Sequence, residues 1–318
     1  MYVETDLDSL LDLVRRHYSI DIAEAKPLGG ELDTNVYVRD SEGNEFTVKR
    51  SATPSASNIR WQYPLLEHLK SRLMGIDVPV IEPTIDGGRD VVIDDGQGVL
   101  VVRVAHWVSG RIMGELEKPS ARLLQEWGAL AANCVLALSD YPAATVPRTH
   151  YWDIRRGPAA IEEALPSVKD SDKVAAVMSI VDEARCSITW LEDQPQQVVH
   201  QDLNDFNVVV ETTAERVSGL LDVGDAILAP RASEVIVAGA YGMLRQTDPV
   251  AAFHHVLDGY STILPISDED RRHILALAAI RLCVNATTWT HRQANAQDDY
   301  GNRRMAATWP AIEKIAAL

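Results

Sequence analysis

The apolar pattern of this chain changes period once, close to residue 107, and that single change limits the folds open to it. Before it, residues 28–38 and 45–50 alternate as strands around the turn Asp40-Ser41-Glu42-Gly43-Asn44, the signature of a β-hairpin. Further strands are expected at 91–93 and 98–104, a helix at 58–74, and a short amphipathic helix at 6–17, where Leu7, Leu10, Leu11 and Val14 recur at helical spacing. After Trp107-Val108-Ser109-Gly110 the period becomes helical. Leu123, Trp127, Leu130 and Cys134 mark one stripe, and residues 174–191, 235–244, 250–263 and 274–289 mark others. The reading is an α+β chain in two parts, a small β-sheet lobe over 1–105 and a larger, mostly helical lobe over 106–318.

One strand-turn-strand interrupts the helical part. Val208-Val209-Val210 and Val217-Ser218-Gly219-Leu220-Leu221 flank the polar Thr212–Arg216. Immediately outside it stand His200-Gln201-Asp202-Leu203-Asn204-Asp205-Phe206-Asn207 on one side and Asp222-Val223-Gly224-Asp225 on the other. A hairpin symmetric about its turn sets position 207 across from position 222, so Asn207 and Asp222 should converge. Phosphoryl transfer needs little covalent help from a protein. It needs a carboxylate beside the attacking hydroxyl and hard oxygen ligands that hold magnesium against nucleotide phosphates. Asp202 is the expected base, Asn207 and Asp222 the expected metal ligands, and His200 a loop-supporting residue. A metal-dependent hydrolase built on His200 would need more ligands than this stretch offers.

Composition excludes other classes. A net charge of −16 argues against nucleic acid, which attracts basic faces, and is compatible with a cationic small substrate. No apolar run approaches membrane-spanning length, and the N-terminus has neither the basic start nor the apolar run of a targeting segment. Cys134, Cys186 and Cys283 are widely spaced in apolar surroundings and read as buried, reduced thiols of a cytoplasmic protein.

With its His200/Asp202/Asn207 motif and Asp222-Val223-Gly224, the chain resembles the protein-kinase-like fold, and within it the aminoglycoside phosphotransferase and choline kinase group of small-molecule kinases. His-x-Asp-Leu-Asn-Asp-x-Asn, Leu-Asp-x-Gly-Asp and the following Pro230-x-x-x-Glu234 are most similar to the hydroxylysine kinase branch. The resemblance implies magnesium and ATP or GTP as co-substrate. It implies that Lys49, at the end of a strand, contacts nucleotide phosphates, with Gly29-Gly30 or Thr34 and Asn35 closing over them. Gln62 best matches the position of the carboxylate that pairs with such a lysine, and Glu67 is the alternative. Backbone groups between Arg103 and His106 should meet the purine edge. Val223 replaces the usual Phe, a packing change, and Gln201 stands where such kinases often carry Gly.

Only nine residues separate Asp222 from a helix expected near Ala232, which leaves little room to dock a peptide and favours a small hydroxylated acceptor, in a monomer or homodimer. Asp205 and Asp225 could hold a substrate ammonium or support the loop. Glu234 is a candidate substrate contact, although it falls in a first helical turn, where a carboxylate is favoured by the dipole alone. Arg281, between Ile280 and Leu282, needs an anionic partner, which could be Asp225, Glu234 or a substrate carboxylate. Trp289, His291 and Tyr241 are further pocket candidates. The functional expectation is an NTP- and magnesium-dependent O-phosphotransferase for an amino-bearing acceptor, metabolic or antibiotic-inactivating. A nucleotide-binding pseudokinase is the alternative.

Overall fold

The computed structural model describes residues 7–28, 30, 33–94, 98–295, 301–302 and 305–317. Gly29 of the expected phosphate loop lies outside the described residues. Contacts divide the chain into two compact units, one of residues 1–71 with 77–108, the other of 72–76 with 109–318.

In the first unit, helix α1 (Leu7–Tyr18) precedes strands β1 (Ile22–Leu28), β2 (Thr34–Asp40) and β3 (Glu45–Thr53). Helices α2 (Ser57–Arg60) and α3 (Gln62–Arg72) follow, then β4 (Val91–Asp94) and β5 (Val99–His106). The expected single helix over 58–74 is thus two helices that break at Trp61. The five strands form one antiparallel sheet in the order β1-β2-β3-β5-β4. Its alternation is what sorts the residues. Val36 and Val38, Phe46 and Val48, and Val102 and Val104 point to one face and bury against Leu10, Leu11, Leu13 and Val14 of α1. Asn35, Lys49 and Arg103 therefore share the opposite face, and the register sets them side by side on three adjacent strands.

The second unit begins with the short β6 (Arg111–Ile112) and helix α4 (Ala121–Ala137), which Ser120 caps by accepting the Leu123 N–H. Helices α5 (Gly157–Ala164), α6 (Ser171–Glu183) and α7 (Arg185–Glu192) are followed by strands β7 (Gln196–Val199), β8 (Val208–Val210), β9 (Val217–Leu220) and β10 (Ile227–Pro230). Helices α8 (Ser233–Gly242), α9 (Pro249–Ser261) and α10 (Asp268–Asn295) and a terminal helix Thr308–Ala316 complete it. Helix α8 is buried at all ten positions, as a helix apolar on every side must be. Helices α4 and α9 meet backbone to backbone, because a Cβ at Gly128 or Gly259 would overlap the carbonyl oxygen of Val256 or Gln125.

Four strands, β1, β6, β7 and β10, were not expected. β7 and β10 pair antiparallel, Ile227 opposite Val199, and so bind the segment after Asp222 into the sheet that leads into residue 200. Cys134 and Cys283 are buried, whereas Cys186 is exposed on α7, against expectation. Among the described residues no helix is long and apolar enough to cross a membrane.

Candidate active site

Residues 200–207 form a loop between β7 and β8 that is braced from beneath. Glu234, in the first turn of α8, has no accessible surface, and its Oε1 accepts the backbone N–H of His200. Burial pushes its carboxyl up to about 8, against amide hydrogen bonds from His200 and Gln201 that pull the other way. The expectation that Glu234 faces substrate is corrected: it is sealed under the loop and holds it. His200 is equally buried, and burial keeps its imidazole below the usual value, so the ring is neutral. Its Nδ1 accepts the Asp202 N–H at 3.3 Å, which leaves Nε2 to donate to the Leu221 carbonyl at 3.1 Å. One neutral ring thereby ties the loop to the far end of the β8–β9 hairpin.

Gln201 has φ +69, in the left-handed region that costs a non-glycine residue about 1–2 kcal/mol. That conformation is why glycine suits this position. Glutamine adds a side chain that glycine lacks, and its Nε2 donates to the Trp152 carbonyl at 3.0 Å.

Asp202 is the centre of the loop. Its Oδ1 accepts from Arg281 Nη2 at 3.1 Å, and its Oδ2 from Asn204 Nδ2 and Asn207 Nδ2, both at 2.7 Å. The side chain remains 17% exposed, so a small hydroxyl can reach a carboxylate whose rotamer is already fixed. Arg281 is 2% exposed. Its second donor, Nη1, meets the same Trp152 carbonyl at 3.0 Å, and its guanidinium lies 4.9 Å from the Trp152 ring and 5.7 Å from that of Tyr241. The anionic partner of Arg281 is therefore Asp202, not Asp225 or Glu234. Asn204 turns the loop, accepting the N–H groups of Phe206 and Asn207 on its Oδ1 at 2.7 and 3.1 Å.

In the hairpin, Val208 pairs with Leu220, and Asn207 O accepts the Leu221 N–H at 2.8 Å. Position 207 thus lies across from 221 and not 222; β9 carries one extra residue opposite the Val209–Val210 step, so the pairing moves from Val210–Val217 to Val209–Gly219. Asp222 follows directly with φ +54, its exposed Oδ1 accepting the Gly224 N–H at 2.9 Å. Asn207 commits its Nδ2 to the carbonyl and carboxylate of Asp202, which leaves its Oδ1 as the end suited to a hard cation. One amide oxygen and one carboxylate fit magnesium, which keeps waters and takes phosphate oxygens rather than needing an all-protein cage. Among the described residues, no group of three or more His, Cys, Asp or Glu gathers to bind a metal.

Asp205 supports the loop. Its Oδ2 bonds Arg245 Nη1 at 2.7 Å, and only 2% of its side chain is exposed, which closes it to a substrate ammonium. It lines a cavity of about 770 Å³ with Phe206, Tyr241, Arg245, Gln246 and Lys314. Asp202, Arg281 and Asp225 do not line that cavity, so it is separate from the loop's reactive side. Asp225 remains accessible, with Oδ1 3.4 Å from His150 Nε2. Burial holds His150 below its usual value, so this contact is not a pair of opposite charges. Trp289 is buried, with the Arg292 guanidinium 4.9 Å above its ring. His291 bonds Ser167 at 2.8 Å.

The segment carrying His150, Tyr151 and Trp152 escaped sequence reasoning, as did Arg292. Asp153 and Arg155 position it. Asp153 accepts the Arg155 N–H and pairs with its guanidinium, which also reaches the Leu228 carbonyl of β10 at 3.1 Å. Arg292 had a findable signal: with Arg281 and Trp289 it repeats at helical spacing on one face of α10.

In the first unit, Arg103 is buried and bonds Ser51 Oγ at 2.6 Å and Asp33 Oδ2 at 3.0 Å, on the face it shares with Lys49 and Asn35. Gly30 approaches Asp33 and Asn35 so closely that a Cβ would fall 2.4 Å from the Asp33 carbonyl oxygen. Gln62 is half-buried at the start of α3, whereas Glu67 is exposed and pairs with Arg89 at 2.7 Å, which removes it as the expected alternative partner of Lys49. The backbone expected at the purine edge is partly engaged. His106 N–H donates to Val80 O at 2.8 Å and Val104 O accepts the Glu82 N–H at 2.9 Å. The exposed His106 ring bonds Glu82 at 2.7 Å.

An antiparallel sheet ending in a cationic row, followed by a helical unit with an Asp-centred loop and an acidic hairpin, is the architecture of kinase-like small-molecule phosphotransferases. The family model described as phosphotransferase enzyme family matches residues 24–273, and the chain belongs to that family. It is a phosphotransferase acting on an alcohol group. Hydroxylysine kinase of Mus musculus is 23% identical over 305 residues, covering 88% of this chain and 80% of that protein. Hydroxylysine kinase of Bos taurus is 25% identical over 301 residues, covering 85% and 78%. Among solved structures, a microcompartment-associated aminopropanol kinase superposes with TM-score 0.73 at 14% identity, covering 98% of this chain and 96% of its own. An amicoumacin kinase in complex with AMP-PNP and Ca2+ gives 0.71 at 16%, covering 99% and 96%.

Proposed function

We propose that this protein transfers the terminal phosphoryl group of a nucleoside triphosphate to the hydroxyl of a small amino-bearing acceptor. The class is that of hydroxy amino acids, amino alcohols and aminoglycosides. The observation that carries this reading is the Asp202 carboxylate, fixed by three donors yet still open to solvent. In a largely dissociative transfer the protein's work is alignment. Asp202 accepts a hydrogen bond from the acceptor hydroxyl, aims its oxygen, and takes its proton as the new P–O bond forms. Asp225, 27% exposed beside a neutral His150, is the carboxylate assigned to the acceptor's ammonium.

Asn207 Oδ1 and Asp222 are the residues that would hold magnesium, which would neutralise charge on the nucleotide's phosphate oxygens. The AMP-PNP and Ca2+ in the amicoumacin kinase complex support the use of a nucleotide with a divalent cation. Lys49, with Asn35 and the closely packed Gly30 near it in the first unit, is assigned to the phosphates. Gln62 is assigned to a hydrogen bond with Lys49, and Arg103 to stiffening that row. The names of the relatives, hydroxylysine kinase and aminopropanol kinase, support an acceptor that carries both an amine and a hydroxyl.

The test is acceptor-dependent nucleoside diphosphate release across those three acceptor classes, with ATP and with GTP. Asp202→Asn is expected to lower kcat by about 10³-fold, within the range for removal of a positioned acid–base group. Wild-type turnover unaffected by this substitution would remove Asp202 from its assigned role.

A further inference from the structure

The residue before the reactive carboxylate carries two uncompensated costs. Gln201 has no accessible surface and sits at φ +69, a conformation that glycine adopts freely. Its Oε1 is buried and accepts no hydrogen bond among the described residues. Backbone strain and an orphaned polar atom, kept together beside a reactive group, point to a side chain retained for the one bond it does make. That bond runs from Nε2 to the Trp152 carbonyl at 3.0 Å.

The same carbonyl receives Arg281 Nη1 at 3.0 Å, while Arg281 Nη2 reaches Asp202 Oδ1 at 3.1 Å. The peptide link from 201 to 202 closes these bonds into a ring. Its shared point is the Trp152 carbonyl, which Gln201 fixes from the loop and which in turn fixes the guanidinium that aims Asp202. A glycine would make the backbone turn without strain and leave the ring open. The segment around Trp152 has other anchors: Tyr151 Oη lies 3.1 Å from Thr288 Oγ1, and Arg155 reaches the Leu228 carbonyl at 3.1 Å. Loss of the Gln201 donor therefore loosens this carbonyl without releasing the segment.

Resting on the assignment of Asp202 as the group that takes the acceptor's proton, we propose that Gln201 is a positioning residue for phosphoryl transfer. It acts through the Trp152 carbonyl and Arg281 to hold the Asp202 carboxylate in line with the acceptor hydroxyl, and itself touches no reacting atom.

The experiment measures transfer to 5-hydroxylysine, 1-amino-2-propanol and kanamycin, one probe from each acceptor class, with ATP and with GTP. Wild type is compared with Gln201→Met, which keeps the length and volume but loses the donor, and with Gln201→Gly, which loses both and relieves the backbone. Both variants are expected to unfold cooperatively on heating, to keep the nucleotide KM and to lose about 10-fold in kcat, less than the roughly 10²-fold that a misplacement of about 1 Å can cost. A double-mutant cycle with Arg281→Lys separates positioning from packing. A lysine ammonium lacks the fork that holds Asp202 and Trp152 at once, so in that background Gln201→Met should change kcat by less than about 2-fold. Full activity in Gln201→Met, a Gln201→Gly faster than wild type, a change confined to the nucleotide KM, or losses that multiply in the double variant overturns the proposal. A wild type inert toward all three probes removes the kinase reading and this role with it, whereas an active wild type beside an unaffected Gln201→Met removes this role alone.

Discussion

The two units handle charge in opposite ways. In the second, the reactive carboxylate is locked before any ligand arrives, Asp202 bonded to Arg281, Asn204 and Asn207 and the loop braced by buried Glu234 and His200. In the first, Lys49 stands half-buried in a row across one sheet face, its neighbour Arg103 stiffened by Asp33 and Ser51. The locked carboxylate suits a group that must be aimed within a fraction of an ångström, and the cationic row suits a large, highly charged ligand. Stability and activity should therefore be coupled in the second unit and separable in the first.

The largest test of that contrast sets Arg281→Met against Lys49→Met. Removing one member of a buried pair leaves the other uncompensated, so Arg281→Met should cost on the order of 3 kcal/mol in denaturant unfolding and about 10²-fold in kcat. Lys49→Met should weaken nucleotide use at least as much while unfolding stays within about 0.5 kcal/mol of wild type. Equal stability losses in the two variants would break the comparison.

A smaller effect sharpens it through pH. The carboxyl of Glu234 in the fold, at about 8, lies above the ordinary 4.5, so its stabilising contribution is fully present below about 4.5 and is lost as pH rises through about 8. Glu234→Gln keeps the acceptor for the His200 N–H and cannot ionise. Its thermal unfolding should match wild type in acid and become relatively more stable as pH rises to 9. Parallel curves for the two proteins would mean that Glu234 does not titrate beneath the loop.

The smallest effect falls on the exposed pair Glu67–Arg89 of the first unit. Glu67→Gln should change stability by less than about 1 kcal/mol and leave the nucleotide KM unchanged. A large KM increase would instead make Glu67 the partner of Lys49.

Much of this was legible in the sequence for local reasons. The face that carries Lys49 follows from strand alternation at Phe46 and Val48, and the neighbourhood of Asn207 and Asp222 follows from a hairpin with a polar turn. The exact register did not, since nothing in Val217-Ser218-Gly219-Leu220 marks the extra residue that β9 carries opposite the Val209–Val210 step. Strands β7 and β10 were missed because four-residue segments are too short to show a distinguishing period. The partner of Arg281 lies 79 residues away, and only tertiary packing could choose Asp202 over Asp225 and Glu234. Gln201 was puzzling as a residue type and becomes intelligible once φ is known. His150 and Trp152 sit in a loop, where no periodicity marks what the side chains face.

The most direct measurement is single-turnover phosphoryl transfer by wild type and Asp202→Asn with saturating nucleotide and a phosphorylated acceptor as the detected product. The locked-carboxylate account predicts a loss of about 10³-fold in the transfer step with nucleotide binding retained. Transfer at the wild-type rate in the variant, with the same product, would contradict it.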